Sequence, residues 1–106
     1  MAKYLYYGSY TSEGVRGLIK EGGSARKAQV ESAVRGLGGR LESYYFAFGG
    51  NDVFSIMEFP DNISCTAASL AVNASGGFKG NVTVLISPEE MDQATKKKVL
   101  YRGPGQ

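Results

Sequence analysis

The sequence predicts an α+β domain of the ferredoxin-like type, in the order β-α-β-β-α-β with one more helix at the end. Three observations predict it. Four runs rich in aromatic and β-branched residues (4–10, 40–48, 53–59 and 81–86) read as strands. The middle two are joined only by Gly49-Gly50-Asn51-Asp52, which supplies the positive-φ positions of a hairpin turn. A stretch of helical periodicity lies on either side of that hairpin, so each connection crosses one face of a four-stranded antiparallel sheet.

In the first strand Tyr4, Tyr6 and Tyr10 fall on one face and Leu5 and Tyr7 on the other, and neither face is polar. Thr11-Ser12 supplies an N-cap, with Val15, Leu18 and Ile19 as a short apolar face. Glu21-Gly22-Gly23-Ser24 interrupts this helix; from Ala25 the period returns through Val30, Ala33, Val34 and Leu37 until Gly38-Gly39. One kinked helix or two pieces end to end is expected. In the second strand Tyr44, Phe46 and Phe48 oppose Leu41, Tyr45 and Ala47; in the third, Val53, Met57 and Phe59 oppose Phe54 and Ile56. Pro60-Asp61-Asn62 opens the next helix, whose apolar stripe reads Ile63, Ala67, Leu70, Ala71 and Ala74, mostly alanine and so suited to lie close to the sheet. Gly76-Gly77 ends it. Val82, Val84 and Ile86 alternate with Thr83 and Leu85 in the fourth strand. Ser87-Pro88-Glu89-Glu90 then joins a serine cap, a proline at the first helical position and first-turn acids, starting a helix over residues 88–97. Residues 99–106 read as a tail on a single domain.

Composition excludes several chemistries. The chain has 106 residues, a net charge of +2, one cysteine and no histidine. Without histidine there is no Ser-His-Asp or Cys-His arrangement and no histidine-ligated metal or haem. Cys65 alone forms neither an internal disulfide nor a cysteine cluster, and reads as a packed thiol. Near-balanced charge implies no nucleic-acid or membrane partner. Gly36-Leu37-Gly38-Gly39 ends a helix rather than opening one, so it is no dinucleotide fingerprint. Lys96-Lys97-Lys98 reads as a solvated helix end. No apolar run reaches membrane-spanning length and no signal peptide is visible, so a cytoplasmic protein is expected and the Asn-x-Ser/Thr triplets at Asn62, Asn73 and Asn81 are chance matches. No metal or cofactor is expected.

Two helices cover one face of a four-stranded sheet, yet both faces of the 40–59 hairpin are apolar. A homo-oligomer, a dimer or higher, is expected to bury the second face; the alternative is that the terminal helix folds back over it.

Several stretches resemble the GYD domain family of small bacterial proteins, grouped with the dimeric α/β barrels. These are Tyr10-Thr11-Ser12-Glu13-Gly14-Val15 after the opening strand, Leu37-Gly38-Gly39-Arg40-Leu41 at the entry to the second, and Phe48-Gly49-Gly50-Asn51-Asp52, which is similar to the Gly-x-Tyr-Asp signature. Pro60-Asp61, Ser87-Pro88-Glu89-Glu90-Met91 and the ending Tyr101-Arg102-Gly103-Pro104-Gly105 also fit, and Arg26 stands where the family often has a basic residue. The signature tyrosine is Asn51 here: if that phenol does chemistry in relatives, this chain has lost it, and if the motif is only a turn, asparagine is an ordinary substitute. The resemblance implies the same fold and assigns no settled activity.

Asp52 is the candidate for proton transfer, as a desolvated carboxylate after a tight turn; alternatively it hydrogen-bonds turn amides. Tyr10 and Arg26, with Asn51 and Asp52, are candidates for binding a small carboxylate or phosphorylated ligand; the alternative is core packing and a solvated helix face. Tyr101 and Arg102, on the glycine/proline tail, are a further candidate: Arg102 reaches a neighbouring subunit and closes its pocket, with Tyr101 favouring docking, or the tail is disordered. Tyr4, Tyr6, Tyr44, Phe46 and Phe48 line an apolar pocket or are core. The function these features favour is a non-catalytic or small-ligand-binding homo-oligomeric module. The alternative is a cofactor-independent enzyme, monooxygenase- or isomerase-like, acting on a small aromatic or carboxylate compound. RNA binding ranks last, since the central hairpin lacks basic residues beside its aromatics.

Overall fold

The computed structural model describes residues 1–47 and 49–106. The elements run β1 (Ala2–Tyr10), α1 (Ser12–Glu21), α2 (Gly23–Gly36), β2 (Arg40–Phe46), β3 (Val53–Phe59), α3 (Asn62–Ala74), β4 (Phe78–Leu85) and α4 (Pro88–Thr95). The sheet is antiparallel in the order β2-β3-β1-β4. This is the expected ferredoxin-like arrangement with an extra C-terminal helix. The place of Phe48 in the second strand lies outside the described residues.

The interruption at Gly22-Gly23 makes two helices. Gly22 takes φ +88°, which favours glycine, and donates its N–H to Leu18 O to close α1. Its own carbonyl accepts from Arg26 N and begins α2. Thr11 caps α1 by accepting from Gly14 N, and Thr11 N and Oγ1 donate to the carbonyls of Gly77 and Gly76. A Cβ at Gly14 would lie 1.9 Å from Gly77 O, so the start of α1 sits directly on the turn that follows α3.

Three expectations are corrected. In β2, Leu41 pairs with Met57 but Ser43 with Ile56, so Glu42 is an extra, bulged residue. The bulge turns Leu41 to the helix side, beside Tyr44 and Phe46, rather than with Tyr45. In α3, Ile63 and Leu70 point outward at 81% and 65% exposure. Asp61 caps this helix at Ser64 N, and the Tyr4 hydroxyl donates to Asn62 Oδ1 at 2.5 Å. Anchored so, the helix turns Cys65, Ala68 and Val72 to the sheet. Finally, β4 starts at Phe78, because Lys79 and Gly80 pair with Ser9 and Gly8 instead of breaking the strand.

Tyr4, Tyr6, Val34, Leu41, Met57, Phe59 and Cys65 form the core under the helices. The opposite face carries Leu5, Tyr7, Tyr45, Phe54 and Ile56. Tyr7 and Phe54 stack there at 5.9 Å, and Tyr45 and Phe54 stay 69% and 40% exposed. Ion pairs of Lys3 with Glu42 and of Arg40 with Glu58 close one end of it. Helix α4 does not cover this face; every one of its residues is exposed.

Candidate functional site

Helix α2 packs chiefly on edge strand β2 and α3 chiefly on edge strand β4. Between them the helix-side face of the central strands stays open as a cleft of about 660 Å³. Tyr6, Tyr10, Val53, Ser55 and Met57 make its floor. Ala67, Ala68, Ala71 and Val72 of α3 form one wall, and Leu18, Val30 and Val34 of the α1–α2 pair form the other. The size and apolar lining fit a small-molecule site.

Polar groups gather at the α1–α2 joint. Arg26 donates from Nη2 to Gln29 Oε1 at 2.9 Å, and its Nε stands 3.6 Å from Glu21 Oε2 across the Gly22-Gly23 break. Arg26 Nε is buried and makes no hydrogen bond among the described residues. Tyr44 completes this end. Burial, first, and the neighbouring Tyr10 hydroxyl push its phenol well above the ordinary value, while the Arg26 charge opposes the rise. Tyr44 is therefore neutral and a hydrogen-bond donor at physiological pH.

A second polar group lies toward β4. Tyr6 stacks on Phe78 at 6.2 Å, and Tyr10 meets the same ring edge-on at 5.0 Å. The Tyr6 phenol crosses Gly80, where a Cβ would lie 2.2 Å from Oη. Its hydroxyl is buried and unpartnered among the described residues. Burial raises its pKa; Ser69 opposes that rise without completing a hydrogen bond. Arg26 Nε only donates and a phenol readily does, so the cleft presents donors in want of an acceptor.

The residues singled out in the sequence separate into three places. Tyr10 and Arg26 meet in the cleft. Asp52 is outside its lining: its Oδ2 accepts from Tyr10 N at 2.9 Å, its N–H donates to Gly8 O, and its carbonyl accepts from Ala47 N. Asn51 borders a different hollow with Ser9, Thr11, Asn73 and Asn81. Arg102 is exposed and lines neither. Glu21, the unpartnered Tyr6 hydroxyl and the alanine wall were not anticipated; the one available signal was Glu21 and Arg26 flanking a double glycine.

A family model described as the GYD domain matches residues 4–95. The chain belongs to the GYD domain family. No curated protein and no solved structure matches it. In this GYD domain the signature turn pins the start of β3 to β1 through Asp52, and Ser9 Oγ adds a hydrogen bond to Gly50 O at 2.8 Å. The turn thereby holds the backbone of Tyr10, whose side chain lines the cleft. Among the described residues of the GYD domain, no group of three or more metal-ligating side chains comes together, and no helix is long and apolar enough to cross a membrane.

Proposed function

We propose that this GYD domain is a homo-oligomeric binding protein for a small ligand with an apolar body and one carboxylate or comparable acceptor. The observation behind this reading is the cleft, where the Arg26 Nε and the Tyr6 hydroxyl are buried and make no hydrogen bond among the described residues, although Arg26 Nε stands 3.6 Å from Glu21 Oε2. A buried, unsatisfied donor costs about 1–3 kcal/mol, and a ligand acceptor recovers that cost on binding. The apolar walls hold the rest of the ligand, and Tyr10, Tyr44 and Arg26 orient its polar end. The oligomer forms through the open sheet face, whose aromatic centre and ion-paired end follow interface anatomy.

Binding is favoured over proton-transfer catalysis by what the phenols and Asp52 do. Tyr44 and Tyr6 are held neutral, and the Asp52 carboxylate is engaged by the Tyr10 amide. The cleft thus offers donors to a bound acceptor.

The test is thermal-shift titration with benzoate, phenylacetate and hexanoate, alongside native mass spectrometry of gently purified protein. Saturable stabilisation by at least one acid is expected, and Arg26→Met weakens it at least tenfold, the loss of about 1.5–3 kcal/mol that a charge-assisted hydrogen bond supplies. No shift with any acid and no retained adduct, or equal shifts in Arg26→Met, would sink the reading.

A further inference from the structure

Resting on the homo-oligomeric reading above, we infer that residues 87–106 form an arm that packs on the body of a second copy. Shape and area point to this. A compact chain of this length has a radius of gyration of about 13 Å, whereas this one has 17.0 Å and extends 56 × 33 × 22 Å. A compact monomer of this mass exposes about 5,700 Å², and this chain exposes 7494 Å². The excess, roughly 1,800 Å², is twice the about 800 Å² that one partner contributes to a standard interface. Residues 88–102 and 104–106 are all exposed, so an arm standing clear of the body adds to that total.

The arm is built to dock. Ser87 and Glu90 close a reciprocal capping box and Pro88 sits at the first helical position, so α4 leaves the sheet at a defined joint. Beyond it, Val99, Leu100 and Tyr101 are consecutive and 74%, 99% and 77% exposed. Three such neighbours held in water gain most by burial against another surface. The body offers an apolar strip away from the sheet: Ile63 and Leu70 on the outward face of α3, with Ala67, at the rim of the cleft, between them at i+4. Two large side chains flank a small one there, which leaves a seat for Leu100. We assign that strip on the second copy as the receiving surface.

The experiment uses the full chain with Leu100 replaced by the photocrosslinker p-benzoylphenylalanine. Light and heavy-isotope chains are mixed, unfolded, refolded together and irradiated. The expected result is light–heavy crosslinked peptides, with the α3 peptide holding Ile63 and Leu70 as the acceptor. Crosslinks confined to one isotope, or none, overturn the inference. In parallel, sedimentation of the full-length Leu100→Asp/Tyr101→Asp double variant is expected to show at least a tenfold rise in the subunit dissociation constant; an unchanged constant overturns it. An unsubstituted chain that sediments as a monomer would instead remove the homo-oligomeric reading itself. An intact oligomer without mixed crosslinks removes only the arm.

Discussion

Asp52 shows how one side chain decides between two roles that the sequence leaves open. A carboxylate after a tight turn can face a pocket or hold backbone; here it accepts the Tyr10 amide proton at 2.9 Å. The choice was not legible because its partner lies 42 positions away in the chain. Asp52→Ala leaves that amide without an acceptor, and a loss of about 1–2 kcal/mol is expected in urea titration. Asp52→Asn, which retains an acceptor, is expected to lose less. Arg26 was legible as a basic residue facing a ligand or solvent, and its meeting with Tyr10 depends on how a helix and a strand distant in sequence come together. Tyr6 was legible as an inward aromatic, but nothing local shows that its hydroxyl goes unpartnered, since that depends on the ring crossing Gly80.

Among the elements, local chemistry was read well and rotation poorly. The caps at Thr11 and Ser87 and the double-glycine break stand where their side chains and backbone require. The rotation of α3 does not follow from its hydrophobicity: Ile63 and Leu70 are its largest side chains, yet the anchors at Asp61 and Asn62 turn them out. The Glu42 bulge likewise has no local signature and is visible only against Met57 and Ile56. The two glycines within α1 separate packing from helix propensity. Gly14→Ala drives a methyl into Gly77 O and is expected to cost about 1–3 kcal/mol. Gly17→Ala meets nothing within 4 Å and is expected to stabilise by roughly 0.5–1 kcal/mol. Paired thermal melts check both signs.

For the whole molecule, the expectation of two apolar sheet faces was legible from strand alternation, because a period of two assigns side chains to faces, except at Leu41, where the Glu42 bulge breaks the period. The outward course of the last twenty residues was not, since a helix start fixes a direction only relative to the strand before it. If the open face joins subunits, Phe54→Asp places a charge at its aromatic centre, and light scattering is expected to report monomers that remain folded. Stability should also vary with pH on the alkaline side. The phenols of Tyr44 and Tyr6 have folded-state pKa values raised above the ordinary 10.0, so between those values the folded chain holds more protons than the unfolded one. Their contribution is complete below pH 10 and lost as pH climbs through the raised values. Melting temperatures from pH 7 to 11 are expected to fall above pH 10, less steeply for Tyr44→Phe.

The α3 wall of the cleft has one more consequence. Ala67, Ala68 and Ala71 contribute single methyl groups to it, while the floor beneath is fixed by strand pairing. The width of the chamber is therefore adjustable in small steps, since exchanging an alanine there for valine or leucine adds two or three carbons. If the cleft takes the ligand proposed above, selection for a bulkier or slimmer guest can proceed on that wall without disturbing the Arg26 end, so size preference and charge preference are free to evolve apart.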